Sequence, residues 1–477
     1  MIKYLTTHQT EAAYQAFLNS LDCPYINVSH IVATDENKYY KESSVLQNTP
    51  FTITIDKLSD NRTLELSWVG HRTTEEIPTY FKYKINNGDW QTYNYNLNQY
   101  EIGRRIYGVT VKEGDTLQII NKSNGFKRLF CDDDLGDLEC TVSGNVMSLV
   151  WGDDFVYAPA NKVPYPGKTY NDDLVYGGKE LIHFAQIIEN HRITDASDLW
   201  LPTKNLGEHI FDEMFSEGVE RNEYLEAAPD INAKYVPDSA CKNMFRNCTV
   251  LEDMPNILAE TVEAHAFEEM FVNCTSLVNT TELHVKHIVA YADWGGHPMM
   301  LMFANCTSLV TAPAWDATFD CVIPESHVNA ANTLRWNSSF WGMFMHCTNL
   351  TSCPWHIKTL NLNFNADSND LCQMFGNEGS GACNALTTIP TFETEVKGNF
   401  NFPTNFMQDK DQNLITSITF IGYEQVNSGG QVTGLDYSGN GTIYLDSSSP
   451  YLPGGEYEND YPLGLTNWTK SVYTPNN

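Results

Sequence analysis

Between roughly Ile187 and Leu414 the apolar positions of this chain fall into one recurring phrase: Met-Phe, two residues, Cys, two residues, Leu. Met244, Phe245, Cys248 and Leu251 make one copy, and Met270, Phe271, Cys274 and Leu277 the next. Met302, Phe303, Cys306 and Leu309 follow, then Met343, Phe344, Cys347 and Leu350. Looser copies flank these: Met214-Phe215 reaches Leu225, and Met374-Phe375 reaches Cys383 and Leu386. At Met407 the Phe is lost and Asp411 takes the Cys place before Leu414, while Ile187 and Ile193 hold the Phe and Leu places at the front. From Met214 to Met407 the steps are 30, 26, 32, 41, 31 and 33 residues. A phrase repeating at that interval predicts a solenoid of stacked units.

Each unit reads as helix, turn and strand. Val262, Ala266, Phe267, Met270 and Phe271 recur at helical spacing and predict one inward face. After each Leu a short extended piece runs to a proline (Pro255, Pro313, Pro354, Pro390), which lacks a donor and disfavours helix just before it. One such unit cannot bury its apolar side alone, whereas stacked copies share a core. The repeat Cys is small and suits a buried turn as a thiol. Asn247, Asn273 and Asn305 just before it are placed to hydrogen-bond from turn to turn.

The phrase "MFxNCTSLxxAP", as carried by residues 302–313, resembles the BspA-like class of leucine-rich repeats, abundant in gut Bacteroidales and in the phages and prophages that infect them. The resemblance covers about half the chain. A second piece, Val142 to Phe155, resembles the "SGN-MSL-GD-F" junction that leads into such repeats. The chain departs from the regular type in its 41-residue step and its many Trp residues.

The rest of the chain divides around this array. Residues 1–45 hold an amphipathic helix, Glu11 to Leu21, and an apolar strand, Tyr25 to Val32; too small for a domain, they suit a docking segment. Residues 46–157 alternate with period two in Phe51–Ile55, Leu64–Trp68, Phe81–Ile85, Gly108–Val111 and Thr116–Ile120, separated by turn formers, which predicts a β-sandwich-like domain. Residues 158–182, rich in Pro and Gly, read as a hinge, 183–420 as the solenoid, and 421–477 as a β-rich C-terminal cap. The fold class expected is therefore mixed α/β and multi-domain.

Charge narrows the partners. The formal net charge of −31 disfavours nucleic acid and anionic membranes, and 42% hydrophobic residues mark a folded chain. The first residues lack a signal-peptide pattern and no apolar run reaches membrane-spanning length, so the expectation is synthesis in a cytoplasm without membrane insertion. Five of the twelve Cys fill the repeat slot and are expected to stay thiols.

Candidate chemistry is sparse. No phosphate loop, dinucleotide fingerprint, nucleophile elbow or zincin motif occurs, so no catalytic residue or cofactor is assigned. His284 and His287, with His297 nearby, match no standard metal spacing, and the acidic run Asp132–Asp137 lacks the ligand order of a calcium loop. Trp315 and Trp355, each just past a repeat proline, are either edge-of-core packing or exposed rings for a sugar or protein partner. The resemblance and the docking segment point to a non-enzymatic bacteriophage virion protein, a fibre or surface decoration. Residues 1–45 would meet other virion proteins, the chain would form homo-oligomers, and the arm would meet a host-surface glycan or protein. A bacterial cell-surface adhesin and the repeat module of a carbohydrate-active enzyme are the alternatives.

Overall fold

A computed structural model describes residues 46–58, 62–68, 80–93, 107–122, 129–130, 138–156, 160, 184, 187–189, 192–216, 222–289, 297–322, 339–360, 371, 373–376, 383–395, 398–403, 405–407, 415–428, 430–432, 435, 437 and 440–474. The expected docking segment 1–45, the run Asp132–Asp137 and all of the hinge but residue 160 lie outside the described residues. The chain forms two compact units, one of residues up to Phe215 with Tyr224–Tyr235, the other of Ser216–Glu223 with Val236 onward. Among the described residues β-strand is the main regular structure, and helix occurs in short segments only.

In the first unit the alternating stretches become strands: β1 (Phe51–Lys57), β2 (Arg62–Trp68), β3 (Tyr80–Ile85), β4 (Gln91–Tyr93), β5 (Tyr107–Val111), β6 (Thr116–Lys122), β7 (Leu129–Phe130) and β8 (Glu139–Asn145). Three short strands follow, β9 (Ile188–Glu189), β10 (Arg192–Asp195) and β11 (Leu199–Trp200). One sheet runs β10-β8-β1-β6-β3-β4, with β11 also on β8, and a second runs β5-β2-β7-β9. Period-two alternation buries Phe51, Ile53 and Ile55 from β1 against Leu117 and Ile119 of β6 and Cys140 and Val142 of β8. β10 and β11 pair parallel to β8, so the stretch expected to begin a separate repeat domain at 183 extends the sheet of the preceding one.

The "SGN-MSL" junction is a buried polar knot. Gly144 sits at φ 78°, and a Cβ there would lie 2.2 Å from the Pro50 carbonyl oxygen, so only glycine fits. Asn145 Nδ2 donates to Gln47 O at 2.9 Å. Ser148 Oγ accepts from Phe51 N–H at 2.8 Å and donates to Ile119 O at 2.9 Å, and Asn121 Nδ2 donates to Leu149 O at 2.9 Å. The three side chains that make these bonds, Asn121, Asn145 and Ser148, are all buried.

After β12 (Tyr235–Val236) the second unit lays down one strand per repeat: β13 (Thr261–Val262), β14 (His287–Val289), β15 (Thr318–Val322), β16 (His356–Thr359) and β17 (Thr391–Thr394). β18 (Asn399–Phe402), β19 (Ser417–Ile421), β20 (Gln425–Ser428), β21 (Thr442–Leu445) and β22 (Thr469–Val472) complete the series. Strands β13 to β17, then β19, β21 and β22, form one parallel sheet in chain order, while β18 pairs with β20. The parallel ladder therefore runs on through the stretch expected to be a cap.

Among the described residues the helix expected before each Met-Phe is absent: those residues are consecutive turns. From residue 239 to 248 the N–H groups alternate. Ala240, Lys242, Met244, Arg246 and Cys248 donate three residues back, whereas Ser239, Cys241, Asn243, Phe245 and Asn247 donate to carbonyls of the next unit. Every fourth residue has positive φ: Ser239, Asn243 and Asn247, then His265, Glu269 and Asn273, then Leu301 and Asn305. A left-handed residue in each turn stops any α-helix, and Asn adopts that conformation at low cost. Apolar residues at i and i+4 satisfy this four-residue repeat as well as a helical one, which is why the spacing misleads.

Ser148 gives a direct check of the knot. Ser148→Ala leaves a buried N–H and a buried C=O without partners and is expected to lower unfolding free energy by roughly 2–6 kcal/mol in denaturant titration, about 1–3 per orphaned group.

Candidate functional site

The repeat phrase builds three internal ladders. Phe245, Phe271, Phe303, Phe344 and Phe375 stack ring on ring, with successive centroids 5.4, 5.5, 5.5 and 5.7 Å apart. Four of the repeat thiols donate to the Phe carbonyl one unit back. Cys274 Sγ meets Phe245 O at 3.1 Å and Cys306 Sγ meets Phe271 O at 3.2 Å. Cys347 Sγ reaches Phe303 O and Cys383 Sγ reaches Phe344 O, both at 3.0 Å. The Cys slot thus demands a donor as well as small volume. The Met and Leu positions, from Met244 and Leu251 through Met343 and Leu350, are likewise buried. The Asn ladder forms one side-chain rung, Asn273 Nδ2 to Asn247 Oδ1 at 2.6 Å, and Asn305 joins its neighbour through backbone N–H to Met345 O at 2.7 Å.

Trp315 and Trp355 also lie inside, exposed by only 6% and 2%. Trp315 Nε1 donates to Val285 O at 3.0 Å and Trp355 Nε1 to Pro313 O at 2.7 Å, and the two rings meet edge to face at 5.0 Å. As candidate ligand contacts they are corrected to core: each indole spends its one donor on a carbonyl of the preceding unit and offers no ring face outward.

The outer surface carries the polar groups. Val278 and Val310, in the same place after the repeat Leu, are 49% and 48% exposed. Beside them Thr275, Thr307, Thr351 and Thr387 each donate a hydroxyl to a carbonyl of the preceding unit. On the strand side Lys358 bridges Glu393 and Glu395, each at 2.9 Å, and these bonds raise its pKa. His287 pairs with Asp320 across β14 and β15. On the turn side, burial alone would raise the Glu268 carboxyl, but a hydrogen bond to His265 and the charge of Lys242, 3.1 Å away, outweigh it and hold the group below its ordinary range.

The sequence neighbours His284, His287 and His297 do not form a cluster: His287 turns to Asp320, and the His297 ring lies against His265, centroids 5.3 Å apart. Among the described residues no group of three or more His, Cys, Asp or Glu side chains is gathered as for a metal ion. No helix among them is long and apolar enough to cross a membrane. Comparison with protein-family models, with curated proteins and with solved structures finds no match.

Two outcomes follow from the buried ladders. Trp315→Ala removes a packed, hydrogen-bonded indole and is expected to cost roughly 3–5 kcal/mol in chemical denaturation, as for other core aromatics; a loss near zero would place the ring at the surface. Burial raises the thiol pKa of Cys274, Cys306 and Cys347. A raised folded value means their contribution to stability is complete below the unfolded thiol pKa, about 8.5, and declines as pH rises above it. The melting temperature should therefore fall more steeply above about pH 9 than in a variant with these three cysteines changed to Ser.

Proposed function

We propose that this chain is a non-enzymatic virion structural protein of a bacteriophage, a fibre or surface decoration with a BspA-like leucine-rich-repeat solenoid as its arm. Residues 1–45 attach it to the particle, the β-sandwich-like domain spaces the arm, and the arm meets a host-surface glycan or protein. The observation that carries the reading is the unit-to-unit ladder: each repeat spends its Met, Phe, Cys and Leu on its neighbours. Such a framework displays an outer surface at fixed spacing and reserves no interior for chemistry, which supports a display role over a catalytic one. The repeat phrase itself, with its likeness to proteins of Bacteroidales phages and prophages, supports the particle setting.

Mass spectrometry of purified phage particles from a culture expressing this gene, with the host envelope fraction beside it, tests the reading. The chain is expected in the particles. Recovery only in the envelope fraction would replace the virion reading with the bacterial adhesin, and hydrolysis of host polysaccharide by the purified chain would replace it with the enzyme module.

A further inference from the structure

We propose that His265 and His297 form a binding site for one late first-row transition-metal ion that clips adjacent repeat units on their turn side. The step from His265 to His297 is 32 residues, the same as from Met270 to Met302, so the two imidazoles hold the same place in successive units. Their backbones are tied in that register: Phe267 N–H donates to Pro298 O at 2.8 Å and Glu269 N–H to Met300 O at 2.9 Å. Both side chains are half-buried. The ring centroids stand 5.3 Å apart with planes at 77°. With Zn–N bonds of about 2.0–2.1 Å and a tetrahedral angle between them, two imidazoles on one ion place their centroids about 5 Å apart. The observed centroid separation, 5.3 Å, matches the spacing such a pair requires.

The surroundings favour coordination over mere packing. Glu268, only 6% exposed, bonds to His265 Nδ1 and so assigns the proton to that nitrogen and the lone pair to Nε2. A carboxylate behind a ligating imidazole fixes its tautomer and raises its basicity. The nearby cation, Lys242, is already paired with Glu268 at 3.1 Å. Two imidazoles select Zn²⁺, Ni²⁺ or Cu²⁺ over Ca²⁺ or Mg²⁺, which take oxygen ligands. The equivalent place one unit earlier is Ser239, which confines the site to this pair of units. The proposal is independent of the virion reading.

Calorimetric titration of the full chain with Zn²⁺ in chelator-free neutral buffer tests it. One equivalent should bind, with no comparable heat from Ca²⁺ or Mg²⁺. His265→Asn and His297→Asn should each weaken binding at least tenfold, Glu268→Gln by about 10–100-fold, and His284→Asn should leave it unchanged. Absence of zinc uptake, or uptake unaltered by both of the first two substitutions, would overturn the site. If either Asn variant does not fold, footprinting of the wild-type chain decides: zinc should protect His265 and His297 from diethyl pyrocarbonate while His284 still reacts, and equal reactivity with and without zinc would overturn it.

Discussion

The fold of the second unit rests on one constraint: half the backbone N–H groups of each turn segment find an acceptor only in the neighbouring repeat. In residues 239–248 the alternate donors Ser239, Cys241, Asn243, Phe245 and Asn247 all reach carbonyls one unit on. A buried N–H without a partner costs about 1–3 kcal/mol, so an isolated unit would leave several such groups unpaired. Register follows from the same bonds. Because Phe245 donates to Met270 and Phe271 to Met302, the phenyl rings above them are placed at stacking distance, and each thiol falls beside a carbonyl of the previous unit.

That arrangement explains what the phrase conserves from copy to copy within this chain. Phe supplies the stack, and Cys is small enough for the turn yet able to donate. Asn at 247, 273 and 305 accepts positive φ just before the thiol. Unit length is left unconstrained: the 41-residue step and the 26-residue step feed the same ladder, with the difference absorbed outside it. The interior is thereby committed to structure, while the outer rows carry Thr hydroxyls, exposed valines and paired charges.

The repeat phrase and five of the six strands β1 to β6 were legible in the sequence, because period-two alternation and a recurring motif map directly onto pleat and unit; the three-residue β4 was too short to show an alternation. The turn geometry was not. Val262, Ala266 and Met270 lie four apart and fit either a helix or a chain of turns, and the deciding signal was the Asn at 243, 247, 273 and 305 in left-handed positions. Nor did a Trp after a proline reveal its direction; burial of Trp315 and Trp355 depends on carbonyls 30 and 42 residues earlier, at Val285 and Pro313. His297 drew attention through its sequence neighbours His284 and His287, yet its ring partner is His265, one repeat length away. Equivalent positions in successive units, not adjacent residues, are the neighbours in such a chain.

Far-ultraviolet circular dichroism of the purified chain tests the ladder of turns and strands most directly. The account predicts a spectrum dominated by β-structure and turns, with little of the paired minimum near 208 and 222 nm that α-helix produces, and a strong helical double minimum, of the size expected for one helix in every repeat, would contradict it.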